Sequence, residues 1–434
     1  MIKKDILAAI KKTIGECGAS SAVGSFLDYD GCGEILKCGE FQISIKEKQV
    51  FICGFGKCAA EMASGAFKKL GEKIKAGILL SYESSSIGGK ISILKSSHPL
   101  PDENTLAASA RLLEFVKAVP ENGLLICLVS GGGSSFFEIP APGVEFNDLL
   151  ALNESLIKSK MPIAEINIVR KALSAVKGGR LLKYIKSSLI TLAVSDTAGS
   201  DPADIASGPT WPCVIDKTAA LGILKKYNID APAGVVYHLQ NSPADCVKCS
   251  INLNSKNIIH KVVADSAAFI KNLAGRLSEK FNARAFAAGF FLTGEKGRGL
   301  DYFMDSIEKI AVEYHEDFIF VAGGEIPVSA GQACGRGGRC QHFALGAMKR
   351  LKERGLSLKK ITIAAAATDG IEAFTDAAGA IFDERDLENA ETETITRHLE
   401  SAYSYGFFEK TGGLIKTGAT GLNVNDVFIA YCRF

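Results

Sequence analysis

The sequence lacks an excess of charge of either sign and lacks a long apolar run. Its 50 basic and 48 acidic residues leave a formal net charge of +2 over 434 residues. A balanced charge gives no electrostatic reason to expect a nucleic-acid or membrane partner. No stretch of about 18 apolar residues occurs, so the sequence predicts no membrane-spanning helix.

Targeting signals, low-complexity tracts and short repeats are missing as well. Residues 6–10 are apolar, but Lys11 and Lys12 end this run, which is too short for the core of a secretory signal. A cytoplasmic protein is therefore expected. Twelve cysteines are spread along the chain with one close pair, Cys246 and Cys249. Without a second matching pair, we expect neither a zinc site nor a disulfide framework.

What the sequence does contain indicates a folded α/β protein. Apolar residues make up 47% of the 434, and a chain of this length holds two or three domains of roughly 100–200 residues. Apolar segments alternate with helical patterns, which is typical of mainly parallel sheets. One further helix is expected to begin near residue 375. Residues 212–260 are polar and loop-rich, so we expect domains of residues 1–240 and 241–434.

The most informative stretch is a strand that ends in glycines flanked by serines. Residues 123–129 are apolar, and the turn after them consists of Ser130, Gly131, Gly132, Gly133, Ser134 and Ser135. Glycines there let the backbone approach a ligand, and the N–H and hydroxyl groups suit an anion. Ligands of open α/β sheets bind beyond the carboxyl ends of strands. The alternative is a turn that needs glycine only for its dihedral angles.

Several cations follow similar turns or lie on predicted helices. Lys57 ends a Gly-Phe-Gly-Lys string between a strand and a helix. This string is not the phosphate loop of nucleotide triphosphatases, but a lysine beside free helix N–H groups suits an anion. Arg170 and Lys177 would share one face of a helix, with a solvent-exposed face as the alternative. Arg339 lies in a glycine-rich loop that opens a helix.

Carboxylates follow three of the predicted strands. Asp196 and Asp201 lie beyond one strand, and Glu325 and Asp369 lie beyond two others. Such carboxylates suit magnesium or a general base, although aspartate also forms turns and caps helices. His98, in a turn-rich segment, is expected to have no role. Together the cations, glycine turns and carboxylates indicate phosphoryl transfer to a small anionic acceptor.

Six motifs, in order, resemble those of the glycerate 2-kinase family with a C-terminal MOFRL domain. They are Ser130-Gly-Gly-Gly-Ser134, Leu173-Ser-Ala-Val-Lys177-Gly-Gly-Arg180, Ile205-Ala-Ser-Gly-Pro-Thr210, Gly-Gly-Arg339, Ala-Thr368-Asp369-Gly370 and Thr417-Gly-Ala-Thr-x-x-Asn423-Val-Asn425-Asp426. The resemblance covers nearly the whole chain. It implies phosphorylation of D-glycerate at its 2-hydroxyl, with ATP as co-substrate and Mg²⁺ as cofactor. It also implies a Rossmann-like three-layer N-terminal domain, a smaller α/β MOFRL domain and an active site in the cleft between them.

The resemblance implies roles for particular residues. Lys57 and Arg339 match the family's functional lysine and arginine, and we expect them to be catalytic together with Asp196. Asp196 and Asp201 would position magnesium, or Asp196 would accept the 2-hydroxyl proton. The glycine turn would bind ATP phosphates. The expected substrate- and phosphate-binding set also includes Arg170, Lys177, Glu325 and Asp369.

The sequence departs from the usual family motifs at three places. Cys340-Gln341-His342 stands where the family reads Asn-Gln-Glu, Glu372-Ala373 stands where it reads Asp-Gly, and Ser200 precedes Asp201 in place of a second aspartate. These departures concern groups around the expected site, while the cations and Asp196 are retained.

Two other functions are left open by the residues. One is an oxidoreductase acting on hydroxypyruvate, but the glycine fingerprint for a dinucleotide is only partial here. The other is a sugar-acid or nucleotide sensor without catalysis, for which no attached signalling module is visible. Either a monomer or a homodimer is expected.

Overall fold

A computed structural model describes residues 1–31, 34–159, 161–196, 201–242, 245–247, 257–294, 297–328, 335–354, 360–373 and 375–434. Contacts divide the chain into two compact units. The N-terminal unit contains Ala19–Ser195 and Ser200–Val263, and the C-terminal unit contains Met1–Gly18 and Ala264–Phe434, with Asp196. This division of the contacts differs from the domain boundary expected after residue 240. That domain boundary stays a prediction.

The strands share a strong apolar character and are numbered in chain order. They are β1 (Leu27–Tyr29), β2 (Ile35–Cys38), β3 (Phe41–Ser44), β4 (Val50–Phe55), β5 (Ile74–Ser81), β6 (Ser85–Ile87), β7 (Ile91–Lys95), β8 (Leu124–Ser130), β9 (Ser188–Val194), β10 (Val214–Ile215), β11 (Asp245–Cys246), β12 (Ile258–Ala264), β13 (Arg284–Leu292), β14 (Phe318–Gly324), β15 (Lys360–Ala367), β16 (Gly379–Phe382), β17 (Leu414–Ile415) and β18 (Asp426–Arg433).

The helices connect these strands and are numbered in the same way. They are α1 (Ile2–Cys17), α2 (Ala19–Phe26), α3 (Ala59–Leu70), α4 (Glu103–Ala118), α5 (Gly133–Phe136), α6 (Phe146–Lys158), α7 (Ile163–Leu173), α8 (Lys217–Lys226), α9 (Ala233–Asn241), α10 (Ser266–Phe281), α11 (Arg298–Glu313), α12 (Arg339–Arg354), α13 (Glu384–Asn389), α14 (Thr392–Glu400) and α15 (Ser404–Thr411). Among the described helices, none combines the length and the apolar character required to cross a bilayer.

The N-terminal unit is built on a seven-stranded sheet in the order β12-β9-β8-β4-β5-β7-β6. Strands β7, β5, β4, β8 and β9 pair in parallel, and the edge strand β6 is antiparallel. Without β6 this is the strand order of the Rossmann fold, in which all strands are parallel and the strand order reverses between the two central strands, β4 and β8. Every residue of β8 is buried, as expected of a parallel strand covered on both faces. The Rossmann-like prediction is confirmed.

The N-terminal unit also carries small antiparallel elements, β1-β2-β3 and β10-β11. Helices α6 to α9 contribute a separate apolar core that includes Leu152, Val169 and Leu224. Cys246 takes part in a disulfide, which the sequence analysis does not anticipate. Eight other described cysteines are free thiols.

The C-terminal unit contains a six-stranded sheet in the order β13-β14-β18-β15-β16-β17. Only β13 and β14 are parallel among its described pairs, so the prediction of mainly parallel sheets is wrong here. The last strand, β18, lies between β14 and β15, and Asp426 is opposite both Gly324 and Ala367. The residues that follow β14 and β15 therefore meet the start of β18 at one edge of the sheet.

Two predicted helices differ from the structure for the same physical reason. Helix α7 ends at Leu173, because the Ser174 hydroxyl accepts the N–H groups of Val176 and Lys177 at 3.3 Å each. The segment expected to form a helix from residue 375 instead forms a turn, in which the Thr375 hydroxyl accepts the Ala377 N–H at 3.3 Å. It then continues as strand β16. Serine and threonine hydroxyls compete in this way with helix hydrogen bonds.

Candidate functional site

The loops after β4 and β8 meet at the point where the strand order of the N-terminal sheet reverses. The Lys57 N–H donates to the Gly131 carbonyl at 2.9 Å, and the Cys58 N–H donates to the Ser130 hydroxyl at 3.0 Å. Gly56 has a φ of +123°, and a Cβ built on it would lie 2.4 Å from the Ser130 Oγ. Glycine is therefore required at this crossing, which is where ligands of this fold bind.

Lys57 and His98 meet at the glycine turn, and the charge of Arg170 acts on the same histidine. Gly132 has a φ of +78°, and a Cβ there would lie 2.9 Å from the His98 Cδ2 and 3.3 Å from the Lys57 Cγ. Burial lowers the pKa of His98 to about 4, and the charges of Lys57 and Arg170 add to this effect. All three side chains are half-buried. The cluster therefore presents two positive charges beside an imidazole that is neutral at neutral pH.

Neighbouring residues hold the histidine and the arginine of this cluster. The His98 ring stacks on Phe136, with centroids 5.6 Å apart and an interplanar angle of 17°. The Arg170 Nε donates to the Asn153 Oδ1 at 3.1 Å. Burial lowers the pKa of Arg170, whereas the nearby Glu138 carboxylate opposes that effect. The sequence analysis gives His98 no role, and packing against Phe136 and Tyr82 holds it at the turn.

The serine hydroxyls of the turn make internal hydrogen bonds. The Ser134 and Ser207 hydroxyls are 2.8 Å apart, and Ser207 donates onward to the Asn167 Oδ1 at 2.9 Å. The Ser135 hydroxyl donates to the Pro99 carbonyl at 2.5 Å, next to His98. These bonds fix the shape of the turn, and Ser130 is fully buried beneath it.

Lys177 lies inside the N-terminal unit, and its surroundings differ from those of a ligand-binding lysine. Its side chain is 0% exposed, and its ammonium pairs with the Glu138 carboxylate, which is 2% exposed. The ammonium also donates to the Phe137 carbonyl at 3.2 Å. Burial lowers the pKa of Lys177, and the charge of Glu138 counteracts this. Because α7 ends before Lys177, this lysine does not share a helix face with Arg170, contrary to the sequence-based prediction.

The two aspartates proposed for magnesium follow β9. Asp196 is half-buried and comes two residues after the strand ends. Asp201 is exposed, and its carboxylate accepts the Ala203 N–H at 2.9 Å as a helix cap. Residues 197–200, including Ser200, lie outside the described residues. In the part of the chain that is described, no three His, Cys, Asp or Glu side chains group closely enough to hold a metal ion.

Arg339 is held by two carboxylates at the edge of the C-terminal sheet. Its Nε and Nη2 each donate to the Asp426 carboxylate at 3.1 Å, and its Nη1 donates to Glu325. The Asn425 amide donates to the other Glu325 oxygen at 3.2 Å. Burial raises the pKa of Asp426 to about 6, although Arg339 favours its charged form. Burial disfavours the Arg339 charge, yet Asp426 and Glu325 raise its pKa above the ordinary value.

Asp369 follows β15 and lies near this ion pair. Its negative charge contributes to the raised pKa of Asp426, and its carbonyl accepts the Thr420 N–H at 3.1 Å. Gly370 has a φ of +91°, and a Cβ there would lie 1.9 Å from the Gly418 carbonyl oxygen. Arg339, Glu325, Asp369 and Asp426 thus form one charged group within the C-terminal unit.

Glu372 caps the helix that begins at Arg339. Its carboxylate accepts the N–H groups of Cys340 at 2.5 Å and Gln341 at 3.3 Å. Burial raises its pKa to about 8, while these backbone donors favour its charged form. The first-turn N–H groups of α12 are therefore occupied by a protein carboxylate. The glycine-rich loop before the helix suggests a phosphate site, but the N–H groups of Cys340 and Gln341 are not available to a phosphate because they already donate to Glu372.

Comparison with known proteins places this architecture in a defined class. Residues 5–240 match a domain of unknown function, DUF4147, and residues 318–426 match the MOFRL family. The fold and its strand-end sites therefore define an α/β protein of the DUF4147–MOFRL type.

Individual relatives narrow this class. A D-glycerate 2-kinase of Thermotoga maritima is 34% identical over 88% of this chain and 90% of its own length. A putative hydroxypyruvate reductase of Agrobacterium vitis is 34% identical over 87% of this chain and 85% of its own length. The crystal structure of the Thermotoga maritima glycerate kinase superposes with a TM-score of 0.83, at 29% identity and 99% coverage of both chains. The chain belongs to the glycerate 2-kinase family.

Proposed function

We propose that this protein transfers a phosphoryl group from ATP to the 2-hydroxyl of D-glycerate, giving 2-phosphoglycerate and ADP. The observation that carries the proposal is the placement of Lys57 and neutral His98 beside Gly132, with the charge of Arg170 close enough to act on the same imidazole. Two cations suit a carboxylate or a phosphoryl group, and an uncharged imidazole suits a hydroxyl. The cluster lies at the fold's binding edge, and relatives named as D-glycerate 2-kinase support the same reaction.

The side chains divide into anion-binding and hydroxyl-directed groups in this proposal. Lys57 and Arg170 bind the anionic groups of the substrates, and the backbone of the glycine turn lies against them. Arg339 is a further cation in this proposal, and Asp426 and Glu325 hold its guanidinium. Asp196 accepts the 2-hydroxyl proton or contributes to magnesium binding. Catalysis then comes mainly from positioning and from neutralising the charge of the transferred group.

Magnesium enters this proposal through the nucleotide. Mg²⁺ is usually bound by one or two carboxylates together with substrate phosphates, and it keeps several waters. Asp196, a half-buried carboxylate that follows β9, would fit that mode. Asp201 fits less well, since its carboxylate already caps a helix. When bound, the ion would neutralise phosphate charge.

Phosphorus NMR of the reaction mixture tests the proposed function. The protein is incubated with D-glycerate, ATP and magnesium, and the new phosphate ester is identified. A 2-phosphoglycerate signal is expected. A 3-phosphoglycerate signal would contradict the proposed acceptor hydroxyl, and no transfer by a folded sample would contradict the proposed kinase activity.

Asp196→Asn should lower turnover about 100-fold or more without unfolding the protein, because it removes a charge at the reacting group.

A reductase acting on hydroxypyruvate is the second candidate, because one relative carries that name. It predicts consumption of NADH on addition of hydroxypyruvate, whereas the kinase predicts none. Binding of glycerate without turnover in either assay would instead indicate a sensor. The cytoplasmic location and the choice between monomer and homodimer stay predictions.

A further inference from the structure

Two adjoining cavities lie within the C-terminal unit. The first has a volume of about 310 Å³, and Leu300, Ile326, Phe343 and Leu399 form its apolar wall. The second has a volume of about 370 Å³, and its small lining residues are three glycines before α12 (Gly335, Gly337 and Gly338) together with Ala373, Ala402 and Ser404. Volumes of this order are typical of small-molecule pockets.

The same four residues line both cavities. They are Pro327, Val328, Arg339 and His342. Lys349 and Arg350 also line the first cavity, and Arg350 pairs with Asp301 and Glu353. No carboxylate is among the described residues that line either cavity. Burial lowers the pKa of His342, so its imidazole adds a polar but uncharged edge. The paired cavities thus combine an apolar wall with basic side chains whose carboxylate partners lie outside the lining.

We propose that these cavities bind the nucleotide co-substrate, with the base against the apolar wall of the first cavity. This inference rests on the proposed function, which supplies two substrates. Glycerate is polar throughout and has no part that an apolar wall would favour. The nucleotide has a flat apolar base and a polyanionic tail, which match an apolar wall and the basic side chains beside it. Arg339 then stands where the two cavities join, between the base and the tail.

The residue at position 342 determines whether a negative charge stands beside the proposed nucleotide site. The family motif that the sequence resembles has glutamate there, and this chain has His342. A neutral imidazole beside a polyanion avoids the repulsion that a carboxylate would bring. His342→Glu should therefore weaken nucleotide binding while leaving the helix cap of Glu372 in place.

Photolabelling with 8-azido-ATP locates the base directly in the full-length protein. Labelled peptides are expected to contain residues 326–328 or 339–350, and excess ATP should protect them. Label confined to peptides of the N-terminal unit would overturn the inference. Phosphoryl transfer is measured in the same preparation. Absence of both ATP-protected label and transfer from ATP would overturn the proposed donor, whereas transfer with label elsewhere would overturn only the location of the base.

A matched pair of variants gives an independent measurement. Val328→Trp fills the junction of the cavities and should weaken ADP binding, measured by calorimetry, at least 10-fold. Val312→Trp places the same side chain on α11 at a position that is 73% exposed, and it should bind ADP as the unaltered protein does. If Val328→Trp is folded and binds ADP with unchanged affinity, the base does not occupy this cavity. If it does not fold, the photolabelling alone decides.

Discussion

The backbone N–H of Lys57 donates to the carbonyl of Gly131 at 2.9 Å, which ties together the two loops at the reversal of strand order. The bond fixes where the Lys57 side chain leaves the backbone, directly beside Gly132 and His98. A lysine on a flexible loop would lose more conformational entropy on binding an anion. The geometry of the candidate site is therefore built into the backbone before a substrate arrives.

Replacing Lys57 by alanine should lower kcat/KM for D-glycerate about 100-fold or more, because it removes one of two cations at the anion site. The measurement is steady-state kinetics with urea denaturation as the check on folding. Lys75→Ala is the matched control, since Lys75 is exposed at the opposite, amino end of the same sheet. If the folded Lys57→Ala protein is as active as the control, Lys57 takes no part in the site.

His98 should make stability depend on pH in a defined direction. Its pKa is about 4 in the folded protein, against 6.5 ordinarily. Between these values the unfolded chain binds a proton that the folded protein does not, so the free energy of unfolding falls as pH falls from 6.5 to 4. Allowing for partial exposure, the loss should be about 1–2 kcal/mol.

Urea denaturation at pH 7 and pH 4.5 checks this, with His98→Gln for comparison. The variant cannot take up the proton, so its stability should fall less than that of the unaltered protein. Other histidines contribute equally to both proteins and cancel in the difference. Identical losses in the two proteins would show that folding does not lower the pKa of His98, contrary to this prediction.

The buried pair of Lys177 and Glu138 should govern stability more than substrate affinity. Lys177→Met leaves the Glu138 carboxylate without its counter-charge in the interior, which should cost about 3–5 kcal/mol of unfolding free energy. Glu138→Gln should cost a similar amount for the same reason. The double variant Lys177→Met/Glu138→Gln should lose less than the sum, because neither charge remains.

Urea denaturation and glycerate kinetics on the three variants distinguish the two roles of Lys177. A raised KM for glycerate with unchanged stability would show that Lys177 binds the substrate, as the sequence analysis expects. A double-variant loss equal to the sum would show that the two side chains are not coupled.

The sequence predicts the N-terminal sheet well because each central strand is a continuous apolar run followed by glycine or aspartate. It predicts Lys57 at a strand end for the same reason. It does not predict the burial of Lys177, because its partner Glu138 is 39 residues away and no local sequence pattern indicates the pair. It gives His98 no role, because the histidine lies at the site through tertiary packing against Phe136 and Tyr82.

The C-terminal sheet shows a second limit of the sequence. An apolar strand has the same pattern whether its neighbour runs parallel or antiparallel, so β18 between β14 and β15 could not be predicted from its residues. That pairing is what brings Asp426 to Arg339 and Glu325. The resemblance to a family predicts that Arg339 is functional. The carboxylates that hold Arg339 are brought to it by the register in which β18 pairs with β14 and β15.

Ala373 should be a point of removable strain next to the C-terminal charged group. It has a φ of +45°, a conformation that costs a residue with a Cβ about 1–2 kcal/mol and glycine almost nothing. The family motif that the sequence resembles has glycine at this position. Ala373→Gly should therefore raise the free energy of unfolding by up to about 1 kcal/mol, after the greater chain entropy of glycine in the unfolded state is subtracted.

Ala390→Gly is the matched control for this change. Ala390 also lies in the C-terminal unit, at the end of a helix, but its φ is −83°, so glycine there gains nothing in the folded state. Its free energy of unfolding should fall by about 0.5–1 kcal/mol, because only the entropic cost of glycine remains. Urea denaturation of the two variants should give changes of opposite sign. A loss of stability in Ala373→Gly equal to that in Ala390→Gly would mean that the backbone at residue 373 carries no strain.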